Sequence, residues 1–229
     1  LARDLRVIII KFADRLNNME TIQYLSSKKR KEIALETKEI FVPLAHRLGM
    51  AKLKWKLEDL SLKCLDLRAF NGIKKKIETS SRLNEDILSN AIKPIKSELN
   101  TYKIKSNIFG RYKSISSIHR KIEKSGKKFE EIYDLYAIRI VVDKIEECYL
   151  ALGVIHSIYP PIQDRFKDFI ATPKTNGYQS IHTTVLTKDN RLTEFQIRTK
   201  DMDYTAEVGV AAHWLYKGTE EIGEFDSQV

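Results

Sequence analysis

YAIRIVV, residues 136–142, is rich in β-branched residues and predicts a buried strand. Four further elements are predicted after it: a helix over Glu146–Tyr159, strands over Ser180–Thr187 and Leu192–Thr199 joined by a turn at Lys188–Arg191, and a helix over Ala206–Tyr216. Helices and strands alternate in this part of the chain, and two of the strands form a hairpin. We therefore expect a mixed sheet with helices packed on it.

The first hundred residues are predicted to be helical, because apolar residues recur there at helical spacing. Three runs show this spacing: Ile33, Ile40, Leu44 and Leu48; Leu53, Leu57, Leu60 and Cys64; and Leu88, Ile92, Ile95 and Leu99. Pro94 lies inside the third run, and we expect it to kink or split that helix. The predicted fold class is α+β, with a helical N-terminal segment followed by a mixed sheet flanked by helices.

Composition narrows the possible functions. The net charge of +9 indicates an anionic partner, such as nucleotide phosphates, RNA or a membrane surface, although a lysine-rich surface needed only for solubility gives the same value. No apolar run has the length of a membrane span, we expect no signal peptide, and the first residue is Leu1 rather than Met. We expect a piece of a longer, cytoplasmic protein. The isolated Cys64 and Cys148 are typical of a reducing compartment.

The predicted hairpin has a definite register. Ile181, Thr183 and Val185 share one face of the first strand, and Phe195 and Ile197 share one face of the second. These apolar faces meet in one core only if odd positions pair with odd ones, which requires a loop of three or five residues. Five polar residues then line the other face: His182, Thr184, Glu194, Gln196 and Arg198. Such a face is either the solvated side of a sheet or one wall of a site.

Residues 110–128, GRYKSISSIHRKIEKSGKK, contain seven Lys or Arg residues and one acid, Glu123. A polyphosphate is bound by charge-assisted donors of this kind, partly at a helix N-terminus. A solvated basic helix and an RNA-binding stripe are alternative interpretations.

Two acids and one tyrosine are further candidates. Asp134 precedes the buried strand, where it is either a strand-end cap or a metal ligand, and Glu194 lies inside a strand, where glutamate is disfavoured. Two carboxylates near a phosphate site suit Mg²⁺. Tyr178 follows the turn signal Asn176–Gly177, so its ring is either presented for stacking on a base or is an ordinary core tyrosine.

Several motifs together resemble a known family. GRYKS, YDLYAIRI, RFKDFIATPKTNGYQSIHTTV, EFQIRT and AEVGVAAHWLYK occur in this order and resemble the synthetase domain of the RelA/SpoT-homologue (p)ppGpp enzymes. FADRLNNMET, residues 12–21, resembles the last metal-site helix of the family's HD-type hydrolase domain. The resemblance implies residues 1–50 as the end of the hydrolase domain with connecting helices, and residues 51–229 as the synthetase domain with a nucleotidyltransferase-like sheet.

The implied activity is that of a GTP or GDP pyrophosphokinase, which transfers the β,γ-pyrophosphate of ATP to the 3′-hydroxyl of GDP or GTP. The resemblance assigns Glu194, Arg111 and Lys113 to catalysis, and Asp134 and Glu194 to Mg²⁺. It assigns to ATP the residues Arg111, Lys113, Ser117, Lys121 and Arg139. It assigns to the acceptor nucleotide the residues Arg165, Lys167, Lys174, Asn176, Tyr178, His182 and Gln196. The RFKD motif at 165–168 matches the version that accompanies a preference for GDP.

The hydrolase part is represented by Asp14 and Asn18, which match a metal ligand and its neighbour. The other ligands of that site lie upstream in the family, so we expect no hydrolysis of ppGpp by this chain, and Mn²⁺ only in an intact hydrolase domain. The resemblance also implies ribosome or tRNA contacts through C-terminal domains that this chain lacks. Two rival functions stay open: a non-catalytic nucleic-acid-binding module and a tRNA-type nucleotidyltransferase.

Overall fold

The computed structural model describes residues 5–126, 129 and 135–209, with the side chains of all of these except 5 and 81–84. The chain divides into two compact units. Among the described residues, the first unit contains those up to Leu67 together with those from Tyr204 to 209, and the second contains those between Arg68 and Asp203. The predicted division into residues 1–50 and 51–229 follows family motifs rather than compactness, and it stays a prediction.

The first unit is helical, as predicted. Its elements are α1 (Leu5–Glu20), a 3₁₀ turn (Ile22–Tyr24), α2 (Ser27–Glu36), a π turn (Thr37–Phe41), α3 (Val42–Arg47) and α4 (Ala51–Leu65). Ser26 begins α2 by accepting a hydrogen bond from the amide of Lys29. Phe12, Met19, Ala45 and Leu57 are the centre of its core. Two of the predicted apolar runs lie on these helices.

The third predicted run lies on α5 (Leu67–Thr101), which is 35 residues long and contains Pro94. We expected Pro94 to kink or split this helix; the split is wrong, because α5 continues through the proline. A proline removes one backbone hydrogen bond, but α5 buries Leu88, Ala91, Ile95 and Leu99 in the core, and these contacts hold both sides of the proline in one helix.

The second unit contains a five-stranded mixed sheet. Its strands are β1 (Asn107–Tyr112), β2 (Tyr136–Val142), β3 (Lys167–Asp168), β4 (Ile181–Leu186) and β5 (Leu192–Thr199), in the order β1-β2-β5-β4-β3. Only the β2–β5 pair is parallel among these strands. The fold class predicted from the sequence is confirmed, and YAIRIVV lies near the middle of the sheet, where six of its seven residues are buried.

Three further helices lie between or after the strands along the chain: α6 (Ile115–Ser125), α7 (Ile145–Ile158) and α8 (Lys200–Val208). Together with α5, α7 covers one face of the sheet through Cys148, Ala151 and Ile155. The helix predicted over Ala206–Tyr216 begins earlier, at Lys200, and its positions after 209 lie outside the described residues.

The hairpin has the predicted register. Ile181 pairs with Ile197 and Thr183 with Phe195, so odd positions face odd positions, and residues 187–191 form a five-residue loop. In the loop, Asn190 has a φ of 56°, a left-handed conformation that asparagine tolerates. The apolar side chains therefore enter one core, and the polar ones share the opposite face.

Candidate active site

One face of the sheet collects residues from all five strands; we call it the polar face. Two rows of cross-strand partners define it. One row is Arg111, Ala137, Glu194 and Thr184, and the next is Phe109, Arg139, Gln196, His182 and Lys167. Directly paired residues project from the same side of a sheet. The structure thus brings together residues from four different sequence motifs: Arg111, Arg139, Lys167, His182, Glu194 and Gln196.

Glu194 lies at the centre of the polar face. Its Oε1 accepts a hydrogen bond from Nε2 of Gln196 at 2.8 Å and lies 3.5 Å from Nδ1 of His182. Its Oε2 lies 3.8 Å from the Lys113 ammonium. Because an ionised carboxylate only accepts hydrogen bonds, all three neighbours face it as donors.

These donors set the charge of Glu194. Burial raises the pKa of the carboxyl, but the hydrogen bonds from His182 and Gln196 and the charge of Lys113 outweigh burial and lower the pKa to about 2. The side chain is therefore a carboxylate at neutral pH.

A second ionic cluster lies beside Gln196. Arg198 is 1% exposed, and its Nη2 donates to Oε1 of Gln196 at 3.1 Å. Its Nε lies 3.4 Å from Oδ1 of Asp203, which also lies 3.0 Å from Nη1 of Arg139. Asp203 is in the first turn of α8, and sequence reasoning missed it. The acidic first turn directly after β5 is the signal that points to it.

The segment 174–182 places Tyr178 next to the polar face. The amide of Gly177, at a φ of 75°, donates to the carbonyl of Lys174, and the Asn176 side chain accepts from the Tyr178 amide at 3.3 Å. The Tyr178 hydroxyl is 2.7 Å from Nε2 of His182. Asn176 therefore shapes the turn, and the turn fixes the position of the Tyr178 ring.

Aromatic and cationic groups surround that ring. Phe169 packs edge-on against Tyr178 and His182, with ring centroids 6.1 and 5.3 Å apart. The Lys174 ammonium lies 5.2 Å from the Tyr178 centroid, and the Arg198 guanidinium carbon 5.5 Å. Phe169 is a second residue of the site that the sequence reasoning did not select.

The basic stretch follows β1. Lys113 donates its amide to the carbonyl of Leu135, which ties the end of β1 to the start of β2. Ser114 caps α6 by accepting from the Ser117 amide, and its hydroxyl donates to the Ser117 hydroxyl at 2.7 Å. Arg111 and Lys113 are half-buried, whereas Lys121, further along α6, is exposed.

The remaining residues that the sequence predicted for the site do not lie at the centre of the polar face. Arg165 ends an exposed 3₁₀ turn (Gln163–Arg165), and Lys167 is on the edge strand β3. Asp134 lies outside the described residues. In α1, Nδ2 of Asn18 donates to Oδ2 of Asp14 at 3.0 Å. Within the described ranges, no group of three or more His, Cys, Asp or Glu side chains is arranged to hold a metal ion.

Comparison with known proteins identifies the family. A family model described as a region found in RelA / SpoT proteins matches residues 110–221, and a model of the HD domain matches residues 1–51. The chain belongs to the RelA/SpoT family. Apart from Phe109, the RelA/SpoT match contains the polar face and the 174–182 turn, so the residues around Glu194 and Tyr178 lie in the region that this family model describes. Among the described parts of the chain, no helix has both the length and the apolarity to cross a membrane.

Individual relatives extend this result. Guanosine-3′,5′-bis(diphosphate) 3′-pyrophosphohydrolase of Spiroplasma citri is 46% identical over 95% of this chain and 29% of that protein. GTP pyrophosphokinase of Streptomyces antibioticus is 45% identical over 95% of this chain and 26% of that protein. This RelA/SpoT chain thus spans less than a third of the length of either relative. Small alarmone synthetase 1 of Bacillus subtilis, solved with its product pppGpp, is 22% identical over 66% of this chain and 84% of that chain, with a TM-score of 0.45.

Proposed function

We propose that this chain is a (p)ppGpp synthetase, which transfers the β,γ-pyrophosphate of ATP to the 3′-hydroxyl of GDP or GTP and releases AMP. The observation that carries the proposal is the position of Glu194. On one side of its carboxylate lies Lys113, from the basic stretch, and on the other side lies His182, which contacts Tyr178. A donor polyphosphate and an acceptor nucleoside bound at these two places would meet at Glu194.

The donor side suits a triphosphate. Arg111 and Lys113 bring positive charge to one end of the polar face, and Ser117 lies in the first turn of α6, where amides point outward. Lys121 adds a more exposed charge on the same helix. Charge-assisted donors of this kind position phosphates and neutralise charge that develops during transfer. We assign the ATP phosphates to these residues, and the adenine side to Arg139.

The acceptor side suits a guanine nucleotide. The Tyr178 ring is only partly buried and is fixed by Asn176, Phe169 and His182, so it is a preformed platform for a base. Lys174 and Gln196 border it, and Arg165 and Lys167 add positive charge beyond β4 for the acceptor phosphates. The basic Arg165 and Lys167 are the reason for proposing GDP as the preferred acceptor.

The transfer is a single displacement. The acceptor 3′-oxygen attacks the β-phosphorus of ATP, the bond from that phosphorus to the α,β-bridging oxygen breaks, and AMP leaves. Glu194 accepts the 3′-hydroxyl proton as the new bond forms. A carboxylate with a pKa of about 2 is a weak base in the free protein. ATP phosphates drawing the Lys113 charge away would raise that pKa toward a more useful value.

Glu194 is suited to be one of the carboxylate ligands of a Mg²⁺ site. Glu194 is ionised and half-buried beside the donor side, and Mg²⁺ takes one or two protein carboxylates together with substrate oxygens. We propose Glu194 and Asp134 as these carboxylates. When bound, Mg²⁺ would neutralise charge on the transferred phosphates.

The test is incubation of the chain with labelled ATP, GDP and Mg²⁺. We expect ppGpp and AMP, and we expect Glu194→Gln to reduce their formation by about a hundredfold or more while ATP still binds. Glu146→Gln, an exposed glutamate on α7, is the matched control and should synthesise ppGpp at the parent rate. If Glu194→Gln synthesises ppGpp at the parent rate, Glu194 is not the base that accepts the 3′-hydroxyl proton.

The same assay separates the rivals. A tRNA-type nucleotidyltransferase would release pyrophosphate instead of AMP, and a nucleic-acid-binding module would yield neither product. A carboxylate at the centre of the polar face disfavours the binding module, since it repels a phosphate backbone.

For the whole protein we propose a cytoplasmic enzyme whose hydrolase domain ends near residue 50 and whose synthetase domain begins near 51. A relative named as a pyrophosphohydrolase and another named as a pyrophosphokinase support the presence of both activities. We further propose Mn²⁺ for an intact hydrolase domain, with Asp14 and Asn18 at its site, and ribosome or tRNA contacts through C-terminal domains.

A further inference from the structure

We infer that Arg198 is a positioning residue for the synthetase reaction: it fixes the orientation of the Gln196 amide, and through that amide the carboxylate of Glu194. The inference rests on the proposed function. Arg198 reaches Glu194 through Gln196, by the hydrogen bond from Nη2 to Oε1 of Gln196 and the one from Nε2 of Gln196 to Oε1 of Glu194.

The first step is that the guanidinium itself is fixed. Arg198 is almost completely buried, with 1% of the side chain exposed, and a charge at such a position requires a partner. Asp203 provides it at 3.4 Å from Nε, and the same carboxylate oxygen lies 3.0 Å from Arg139. The Arg198 guanidinium is thus held at two points, by the ionic contact of Nε with Asp203 and by the hydrogen bond of Nη2 with Gln196.

The second step is the choice between two orientations of the amide. A glutamine side chain has an oxygen that accepts and a nitrogen that donates, and it can rotate by half a turn at little cost on a surface. Arginine only donates, so the oxygen of Gln196 must face Arg198. The nitrogen then faces Glu194. Arg198 and Glu194 thus favour the same orientation and hold the amide from both ends, whereas without Arg198 the amide is held only at its nitrogen.

The third step concerns the two oxygens of Glu194. Gln196 and His182 both contact Oε1, and Lys113 is near Oε2. Holding Oε1 on the acceptor side of the carboxylate orients Oε2 toward the donor phosphates. Reacting groups must be positioned closely for efficient transfer, so a loosened carboxylate should reduce the rate more than the binding of ATP.

The test is a double-mutant cycle on ppGpp synthesis with the complete 229-residue chain. Arg198→Lys keeps the positive charge near Tyr178 but lacks the guanidinium group, which contacts Gln196 and Asp203 at the same time. Gln196→Met removes the amide. We expect each of these two variants to lower kcat by about tenfold, because each loses one charge-assisted hydrogen bond. KM for ATP should stay within about twofold of the parent value. Because Arg198 acts through Gln196, the double variant should be no slower than Gln196→Met.

Arg191→Lys, in the exposed hairpin loop, is the matched control and should leave kcat unchanged. Losses that multiply in the double variant would overturn the inference, and so would an unchanged kcat in Arg198→Lys. If Arg198→Lys does not fold, Asp203→Asn replaces it, since it removes the carboxylate that fixes the guanidinium and should show the same coupling to Gln196→Met. Absence of ppGpp from the unsubstituted chain would instead contradict the proposed function.

Discussion

The ammonium of Lys113 lies 3.8 Å from Oε2 of Glu194, although 81 positions separate the two residues in the chain. Lys113 directly follows β1, and Glu194 is in β5. The pairing exists because β2 lies between these strands and aligns Arg111 with Ala137 and Ala137 with Glu194. The donor side and the acceptor side of the proposed site are therefore joined through the centre of the sheet.

Replacement of Lys113 by Met should reduce kcat/KM for ATP by about 10- to 100-fold, because one charge-assisted contact to a phosphate is lost. The acceptor KM should change little, since Lys113 lies on the other side of Glu194 from His182. Steady-state synthesis with varied ATP and varied GDP measures both values. Lys96→Met, on the exposed surface of α5, is the control; an equal loss in that variant would show that net charge alone is responsible.

Replacement of Tyr178 by Ala should raise KM for the acceptor nucleotide by about 10- to 100-fold, because the acceptor base loses its stacking contact with the aromatic ring. Tyr178→Phe keeps the ring and loses the hydroxyl contact with His182, so its effect should be only a few-fold. KM for ATP should stay constant in both variants. If the acceptor KM is the same in Tyr178→Ala as in the parent, the stacking role is wrong; Tyr102→Ala, at an exposed tyrosine, controls for the loss of an aromatic ring.

The low pKa of Glu194 predicts a pH dependence of stability. Burial raises the pKa of this carboxyl, but its hydrogen bonds with His182 and Gln196 and the Lys113 charge lower it from 4.5 to about 2. Because the pKa is lower in the folded state, the carboxylate stabilises the fold above about pH 4.5, and this stabilisation is lost as the pH falls toward 2.

Urea unfolding measures this stabilisation. The free energy of unfolding of the parent chain, relative to Glu194→Gln, should decrease by about 2 kcal/mol between about pH 6 and about pH 3. Glu146→Gln, studied in parallel, reports the effect of removing an exposed carboxylate. A difference between parent and Glu194→Gln that does not change with pH would contradict the assignment of the low pKa to Glu194.

Two glycines should respond to alanine in opposite directions. Gly209 has a φ of 68°, and an added Cβ would lie 2.4 Å from the carbonyl oxygen of Leu48. Gly209→Ala should therefore destabilise the fold by about 3 kcal/mol. Gly72 lies on the exposed side of α5 with no atom within 4 Å of an added Cβ, and Gly72→Ala should stabilise it by up to about 1 kcal/mol. Thermal unfolding of both variants checks the two signs.

Much of the sheet could be predicted from local patterns. The alternation in residues 181–185 and 193–197 fixed which side chains face the core, and the requirement for one core then fixed an odd-length loop and a shared polar face. Pro94 shows the limit of such reasoning. Proline removes one backbone hydrogen bond, but the packing of two apolar residues before it and two after it determines that α5 continues.

The sequence by itself determined the α+β class, the hairpin register and the residue types of the proposed site, because strand periodicity and charged motifs are local properties of the chain. Only the tertiary structure decided which of those residues meet. The strand order β1-β2-β5-β4-β3 brings Lys113 and His182 to opposite sides of Glu194, and the start of α8 brings Asp203 to Arg198 and Arg139. Contacts of this kind depend on how strands far apart in sequence pair, and no single stretch of the sequence contains that information.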